Sequence, residues 1–281
     1  ITYHFYYLYA GCADNRSFFL NNMIHEETNI KEPVAVDTNE PVIAIKGLYK
    51  SFGKDNDVLK GVDLAVNKSE NLVVLGKSGS GKSILIKCLV GLVAADKGEI
   101  KVFGTDINTL DNNQLNAIRV RIGFLFQNSA LYDSMTVREN LAFPLKRHSK
   151  KLSAEEVEAA VIAALDNVGL ADAVDKMPAE LSGGMRKRIG LARTLILKPE
   201  IILYDEPTTG LDTITSREIS ELILAIQKKY KTTSIIITHD MACAKLTGDR
   251  LVILKDGVMV AEGTYEELEK SDDEWVRSFF I

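Results

Sequence analysis

The chain has 281 residues, 46% of them hydrophobic and 26% charged, a globular balance that excludes a disordered tail, a collagen-like fibre or a disulfide-stapled miniprotein. Its 34 basic against 39 acidic side chains leave a formal net charge of −5, which argues against a bulk basic surface for nucleic acid. At about 150 residues per domain, the length sets an expectation of one or two domains.

The first stretch, Ile1 to Ala13, is uncharged and aromatic-rich. It is shorter than the ~20 apolar residues of a spanning helix and has no basic lead. Tyr9-Ala10-Gly11-Cys12 faintly resembles a lipoprotein cleavage site, but no Lys or Arg precedes it. The chain starts with Ile, and its first Met is Met23. Residues 1–22 are therefore expected to lie upstream of the native start, and any membrane role to run through a partner. Cys12, Cys88 and Cys243 lack metal-ligand spacing and read as reduced thiols. Residues 24–41 are polar and acidic, with Pro33 and Pro41, and read as a mobile lead-in.

Strand patterns begin at Val42–Ile45 and Val62–Val66. The run Leu72–Leu75 is short and wholly apolar, as a buried parallel strand should be, and similar runs fall at Gly123–Phe126, Ile201–Tyr204 and Ser234–Ile237. Between them, Ser153-Ala154-Glu155-Glu156 is a capping box opening a helix to Val168. A second helix is expected from Leu181 to about Leu197, stopped by Pro199. Strands alternating with helices predict an α/β fold around a largely parallel sheet.

Three motifs carry chemistry. Gly76-Lys77-Ser78-Gly79-Ser80-Gly81-Lys82-Ser83 fits G-x-x-x-x-G-K-[ST] after a buried strand and before a helix, the context that motif needs. Its glycines let backbone N–H groups curl around phosphate, and the helix end adds partial positive charge. Lys82 is placed to reach the β and γ phosphates, and the Ser83 hydroxyl to ligate Mg²⁺. Second, the strand Ile201–Tyr204 ends in Asp205 and Glu206. Asp205 suits Mg²⁺ held through water and Glu206 suits an attacking water. Paired acids at a strand end are common in loops, so this motif gains its weight from the phosphate loop. Third, Leu181-Ser182-Gly183-Gly184-Met185 precedes Arg186, Lys187 and Arg188. An ordinary Ser N-cap would explain Ser182 but not the paired glycines; a second anion-binding helix end explains both. Two such ends far apart in sequence suggest a dimer in which one end caps the partner's nucleotide.

With these residues in order, the chain resembles the nucleotide-binding subunit of an ABC transporter. The further landmarks are Gln127 after Phe124-Leu125-Phe126, Gly210-Leu211-Asp212, and Thr238-His239-Asp240. The resemblance runs from about residue 42 to 265. It implies a P-loop NTPase core with a mixed, largely parallel sheet, an N-terminal antiparallel β subdomain and an inserted α-helical subdomain at about 128–190. Residues 1–41 would be an extension and 266–281 a short helical tail. It implies ATP and Mg²⁺ as ligands, with Gly76–Ser83, Gln127 and the adenine-stacking aromatic Phe52 contacting nucleotide. Ser83, Gln127 and Asp205 would serve the metal. Glu206, Lys82 and His239 would serve hydrolysis, and Ser182, Gly183, Gly184 and Asp212 would act across a dimer of two copies. Tyr49 competes with Phe52, which is preferred for the Gly that follows and its spacing. Gln127 also reads as a surface residue, His239 as a structural residue after the last core strand, and Asp212 as a plain helix cap.

A narrower resemblance is to the ATPases of Mce-type lipid transporters, including Mla-like phospholipid systems. It rests on Phe126–Val137, Ala142-Phe143-Pro144-Leu145, Leu181–Arg188, Tyr204–Asp212 and Ser271–Phe280. Thr213 replaces a Pro common after that Asp, a small change at a helix start. The resemblance implies an integral membrane permease and an Mce-domain lipid-binding protein as partners, and a peripheral position on the cytoplasmic face of the inner membrane. An ABC transporter for another solute is the competing reading. A soluble ABC ATPase acting on protein or nucleic acid fits less well, since the chain has one phosphate loop and an acidic balance. Segment 128–147 carries Leu131, Tyr132, Met135 and Phe143, read both as core of a small helical subdomain and as a groove for a partner's helix.

Overall fold

The computed structural model describes residues 40–53, 56–148 and 152–280. The expectations for residues 1–22, Cys12 and most of 24–41 lie outside this set. The strands β1 (Ile43–Ser51) and β2 (Asp57–Val66) pair antiparallel, and β1 also pairs with β4 (Lys97–Val102). With β5 (Thr105–Asp106) they form a four-stranded antiparallel sheet in the order β2-β1-β4-β5.

A six-stranded sheet has the order β10-β9-β3-β8-β7-β6. It contains β3 (Asn71–Leu75), β6 (Ile122–Leu125), β7 (Ile201–Asp205), β8 (Thr233–Ile237), β9 (Arg250–Lys255) and β10 (Val258–Gly263). All neighbours are parallel except β10, which returns antiparallel to β9. The continuous apolar runs follow from burial on both faces. Successive side chains alternate across a strand. Leu72, Val74, Leu203, Ile235, Ile237 and Leu254 therefore join a core shared with the antiparallel sheet and α1 (Lys82–Leu89). Val73, Leu75, Ile202, Tyr204, Ile236 and Ile253 join the opposite core, against α5 (Gly183–Leu195) and α6 (Thr213–Tyr230). Full burial of each such side chain contributes about 1.5–3 kcal/mol.

A third core joins α3 (Val137–His148), α4 (Ala154–Asp166) and the outer face of α5 through Leu141, Val161, Leu165 and Ile189. Helix α5 thus lies between the sheet and the helical layer. The remaining helices are α2 (Asn112–Val120), α7 (Met241–Thr247), α8 (Tyr265–Glu269) and α9 (Glu274–Arg277).

The capping box at Ser153 forms as expected, with Glu156 returning to the Ser153 N–H. Helix α5 is shorter than its expected 181–197 span. Ser182 is its N-cap, and Lys198 takes φ 52° before Pro199 can act. The strand at 234–237 is not the last of the core. β9 follows it and pairs with the far side of β3. Its four apolar residues, Leu251–Leu254 between Arg250 and Lys255, form a run as long as Leu72–Leu75 and carry the same buried-strand signal.

Candidate functional site

The phosphate-loop sequence needs glycine for two reasons, crowding at Gly76 and Gly81 and positive φ at Gly79 and Gly81. A Cβ on Gly76 would lie 2.5 Å from the Leu254 carbonyl of β9 and 2.6 Å from Ser80 Oγ. Gly79 and Gly81 take φ values of 81° and 107°, where only glycine is unstrained. Gly81 is the N-cap of α1 and offers no side-chain cap, so the first-turn N–H groups keep their capacity for an anion. The buried Ser80 hydroxyl finds no partner among the described residues. Lys82 Nζ donates to the Gly76 and Lys77 carbonyls at 2.7 and 3.0 Å. Burial lowers its pKa, opposed by Glu206 and Asp205. An uncapped helix end, an orphan hydroxyl and a desolvated ammonium together suit a phosphate group. Gly76→Ala should therefore weaken binding of a fluorescent ATP analogue at least tenfold and cost about 1–3 kcal/mol of stability from overpacking. Titration and denaturant midpoints check this; wild-type binding would contradict it.

The second half of the site comes from the ends of β7 and β8. Asp205 is buried and accepts from Ser83 Oγ at 3.2 Å, which joins the phosphate loop to the carboxylates. Burial raises the Asp205 pKa, while the Ser83 hydrogen bond lowers it. Glu206 follows at φ 52°, and its N–H donates to the Ile237 carbonyl at 2.9 Å. Its Oε2 accepts from Thr209 Oγ1 at 3.0 Å and lies 2.8 Å from His239 Nδ1. His239 is otherwise open to solvent, and Asp240 caps α7 while accepting from Thr208 Oγ1 at 3.0 Å.

The described residues hold no cluster of three or more His, Cys, Asp or Glu suited to a metal. Ser83 and Asp205 offer a paired hydroxyl and carboxylate. That donor set fits Mg²⁺, which takes one or two protein oxygens and fills its remaining positions with phosphate and water.

The structure thus brings Gly76–Ser83, Asp205, Glu206 and His239 together at the C-terminal ends of β3, β7 and β8. Gln127 joins through its backbone: its carbonyl accepts from Lys187 Nζ at 2.6 Å, and its side chain is exposed. Ser182, Gly183 and Gly184 lie elsewhere. A Cβ on Gly184 would meet Thr215 Cγ2 at 2.6 Å, so the start of α5 abuts the start of α6. Asp212 caps α6 through the Ile214 and Thr215 N–H groups at 3.1 and 3.0 Å. Among the described residues, no hydrogen bond joins these four residues to the phosphate loop. Phe52 is 48% exposed, with Lys50 Nζ 5.3 Å from its ring centroid. Tyr49 packs its ring against Gly61, which occupies its edge in the sheet.

Sequence reasoning missed Thr209 and Lys187. It took Arg186, Lys187 and Arg188 together as the basic start of a helix. Instead Lys187 turns inward, 5% exposed, while Arg188 pairs with Glu218 on α6. The signal was present: Lys187, Gly190 and Leu191 fall at i, i+3 and i+4 on a buried face.

Comparison with known proteins agrees with this geometry. Residues 59–209 match the family described as ABC transporter. The chain is 42% identical over 237 residues to the "Probable ribonucleotide transport ATP-binding protein mkl" of Mycobacterium leprae, covering 84% of this chain and 68% of that one. It is 37% identical over 266 residues to "Protein TRIGALACTOSYLDIACYLGLYCEROL 3, chloroplastic" of Arabidopsis thaliana, covering 89% and 76%. It is 40% identical over 232 residues to the "Methionine import ATP-binding protein MetN" of Rhizobium etli, covering 83% and 63%. Among solved structures, the dimeric post-hydrolysis state of the ATP-binding cassette MJ0796 bound to ADP and Pi superposes with a TM-score of 0.73 at 32% identity, covering 79% and 98%. The chain belongs to the ABC transporter family, as its ATP-binding, ATP-hydrolysing subunit.

Proposed function

We propose that this ATPase drives lipid transport, with phospholipid the favoured class, through an integral permease and an Mce-domain lipid-binding protein. The observation that carries the chemistry is the Glu206–His239 contact at 2.8 Å beside the Ser83–Asp205 pair. In this reading Glu206 orients a water for in-line attack on the γ-phosphorus. The new P–O bond forms as the bond to the bridging oxygen breaks, giving ADP and phosphate. Lys82 and His239 stabilise the spreading negative charge. Mg²⁺, when bound, would neutralise the β and γ phosphates, with Ser83, Asp205 and Gln127 as its protein contacts. Phe52 would stack on adenine.

Two copies would share each ATP, with Ser182, Gly183, Gly184 and Asp212 of one closing on the phosphate loop of the other. A cavity of about 840 Å³ beside His239, lined by Thr208, Leu211, Arg217 and Leu246, supports that docking, as does Ile214 at 73% exposure. In the proposed division, residues 42–265 form the ATPase domain, 128–190 its helical part, and 266–281 a tail. No helix among the described residues is long and apolar enough to cross a membrane, which supports a peripheral position, proposed as the cytoplasmic face of the inner membrane.

Lipid is favoured by the segments shared with Mce-type ATPases and by the relative whose name is that of a glycolipid. The relatives named for ribonucleotide transport and methionine import favour a second reading, an ABC transporter for another solute. Affinity purification from the native membrane with lipid analysis decides between them. Recovery with a small-solute permease and no Mce-domain protein would reject the lipid reading.

The permease is proposed to dock on segment 128–147. Leu131 packs into the helical core, whereas Tyr132 is 41% exposed and stacks edge-on with Phe143 at 5.3 Å. Tyr132→Asp would place a charge in an apolar contact, costing several kcal/mol if unpaired, on the order of transfer penalties. Co-purification of the permease should fall at least tenfold while ATP binding stays within twofold. Unchanged assembly would overturn this docking site.

A further inference from the structure

We infer that Lys187 is a positioning residue that fixes the catalytic turn at Glu206 against the loop that follows β6. The inference rests on the reading of Glu206 given above. One buried ammonium spans the two segments: Lys187 Nζ donates to the Gln127 carbonyl at 2.6 Å and to the Glu206 carbonyl at 3.0 Å. No other side chain among the described residues donates a hydrogen bond to either carbonyl.

Each end of this tie is a turn that needs holding. Glu206 sits at φ 52°, and Ser129 and Ala130 follow Gln127 at φ 60° and 48°. Non-glycine residues adopt this region only when their surroundings hold them there. Gly190, one turn along α5, meets the Gln127 loop directly: a Cβ there would lie 2.8 Å from Ser129 Cβ. Two turns on from Lys187, Arg193 donates to the Ala130 carbonyl at 2.9 Å and stands 5.0 Å from the Tyr132 ring centroid. From the α3 side, Asn140, fully buried, receives from the Tyr132 N–H and donates to the Tyr132, Met135 and Thr136 carbonyls. The loop from Gln127 to Thr136 is thus fastened to α5 and α3 as one piece. Lys187 is where that piece meets Glu206.

A lysine placed only to fill space is a poor choice here. Burial disfavours its charge, and the nearby Glu206 and Asp205 carboxylates only partly restore it. An apolar side chain would fill the same volume without that penalty. What the ammonium supplies is two directed donors.

The test uses the purified full-length chain, with ATP turnover and binding of a fluorescent ATP analogue as readouts. Lys187→Met keeps the stem and removes the donors. Lys187→Arg and Lys187→Gln keep donors of different reach, so one remains informative if the other packs badly. Lys187→Met should lower kcat at least tenfold with KM and analogue binding within twofold. At least one donor-bearing variant should recover half of that loss on a logarithmic scale. Three results would overturn the proposal: wild-type turnover in Lys187→Met, a tenfold rise in KM in step with the fall in kcat, or no recovery by either donor. Glu206→Gln is measured in parallel. Wild-type turnover there rejects the role of Glu206 itself, whereas a slow Glu206→Gln beside a normal Lys187→Met rejects only the role of Lys187.

Discussion

Lys82→Ala should abolish measurable ATP hydrolysis and weaken ATP binding by about 10- to 100-fold. Each lost hydrogen bond to a charged group costs about 1.5–3 kcal/mol, and each 1.36 kcal/mol is tenfold in rate or affinity. A charge that tightens on the γ phosphate as the transition state forms loses more in turnover than in binding. The fold should survive. Among the described residues Lys82 Nζ holds only the Gly76 and Lys77 carbonyls, and burial disfavours its charge. Removing it relieves desolvation as it loses these two contacts. Fluorescent-nucleotide titration, phosphate release and a thermal melt on one preparation separate the three effects. Wild-type turnover with an unchanged melt would overturn the assignment of the phosphate loop.

The parts of the molecule legible in the sequence are those where one physical demand acts alone. A strand buried on both faces must be apolar throughout, so β3, β7 and β8 stood out. A loop that meets phosphate through its backbone must be rich in glycine, and the clash waiting at Gly76 shows why. Where two demands compete, the signal blurs. β4 carries Lys97, Glu99 and Lys101, and β10 carries Glu262 and no fully buried residue, so neither reads as a buried run. β9, with four apolar residues between Arg250 and Lys255, is as legible as β3 and was passed over. Asp212 shows a different limit: a helix cap and a residue acting across a dimer demand the same amino acid. The capping bonds account for it locally without excluding the second role.

Lys187 was hidden by its neighbours. Three basic residues in a row give one shared signal, yet helical geometry sends them in three directions. Arg186 stays exposed, Arg188 reaches Glu218, and Lys187 points at the site. Thr209 was hidden because a hydroxyl after Glu-Pro has no distinctive spacing. Its bond to Glu206 Oε2 exists only once the turn has formed.

Glu206→Gln should bind ATP within a fewfold of the native chain and hydrolyse it about 10²–10⁴-fold more slowly, the usual range for loss of a general base. The amide keeps the volume, so the φ 52° turn, its N–H bond to the Ile237 carbonyl and its carbonyl bond from Lys187 should persist. The amide oxygen still accepts from Thr209, while the amide nitrogen is a donor unable to take a proton from water. His239 Nδ1 lies 2.8 Å from that same Oε2 position, so its Nδ1–H tautomer can donate to the amide oxygen without rearrangement. Binding and chemistry are thereby separated at a single atom. If ATP is held between two copies, an enzyme that binds but cannot hydrolyse accumulates in the closed state. Light scattering of Glu206→Gln with Mg-ATP should then report a dimer that dissolves when nucleotide is withdrawn. A monomer under those conditions would contradict the shared site. Wild-type turnover would move the base elsewhere, and His239, 2.8 Å from the same carboxylate, would be the first residue to test.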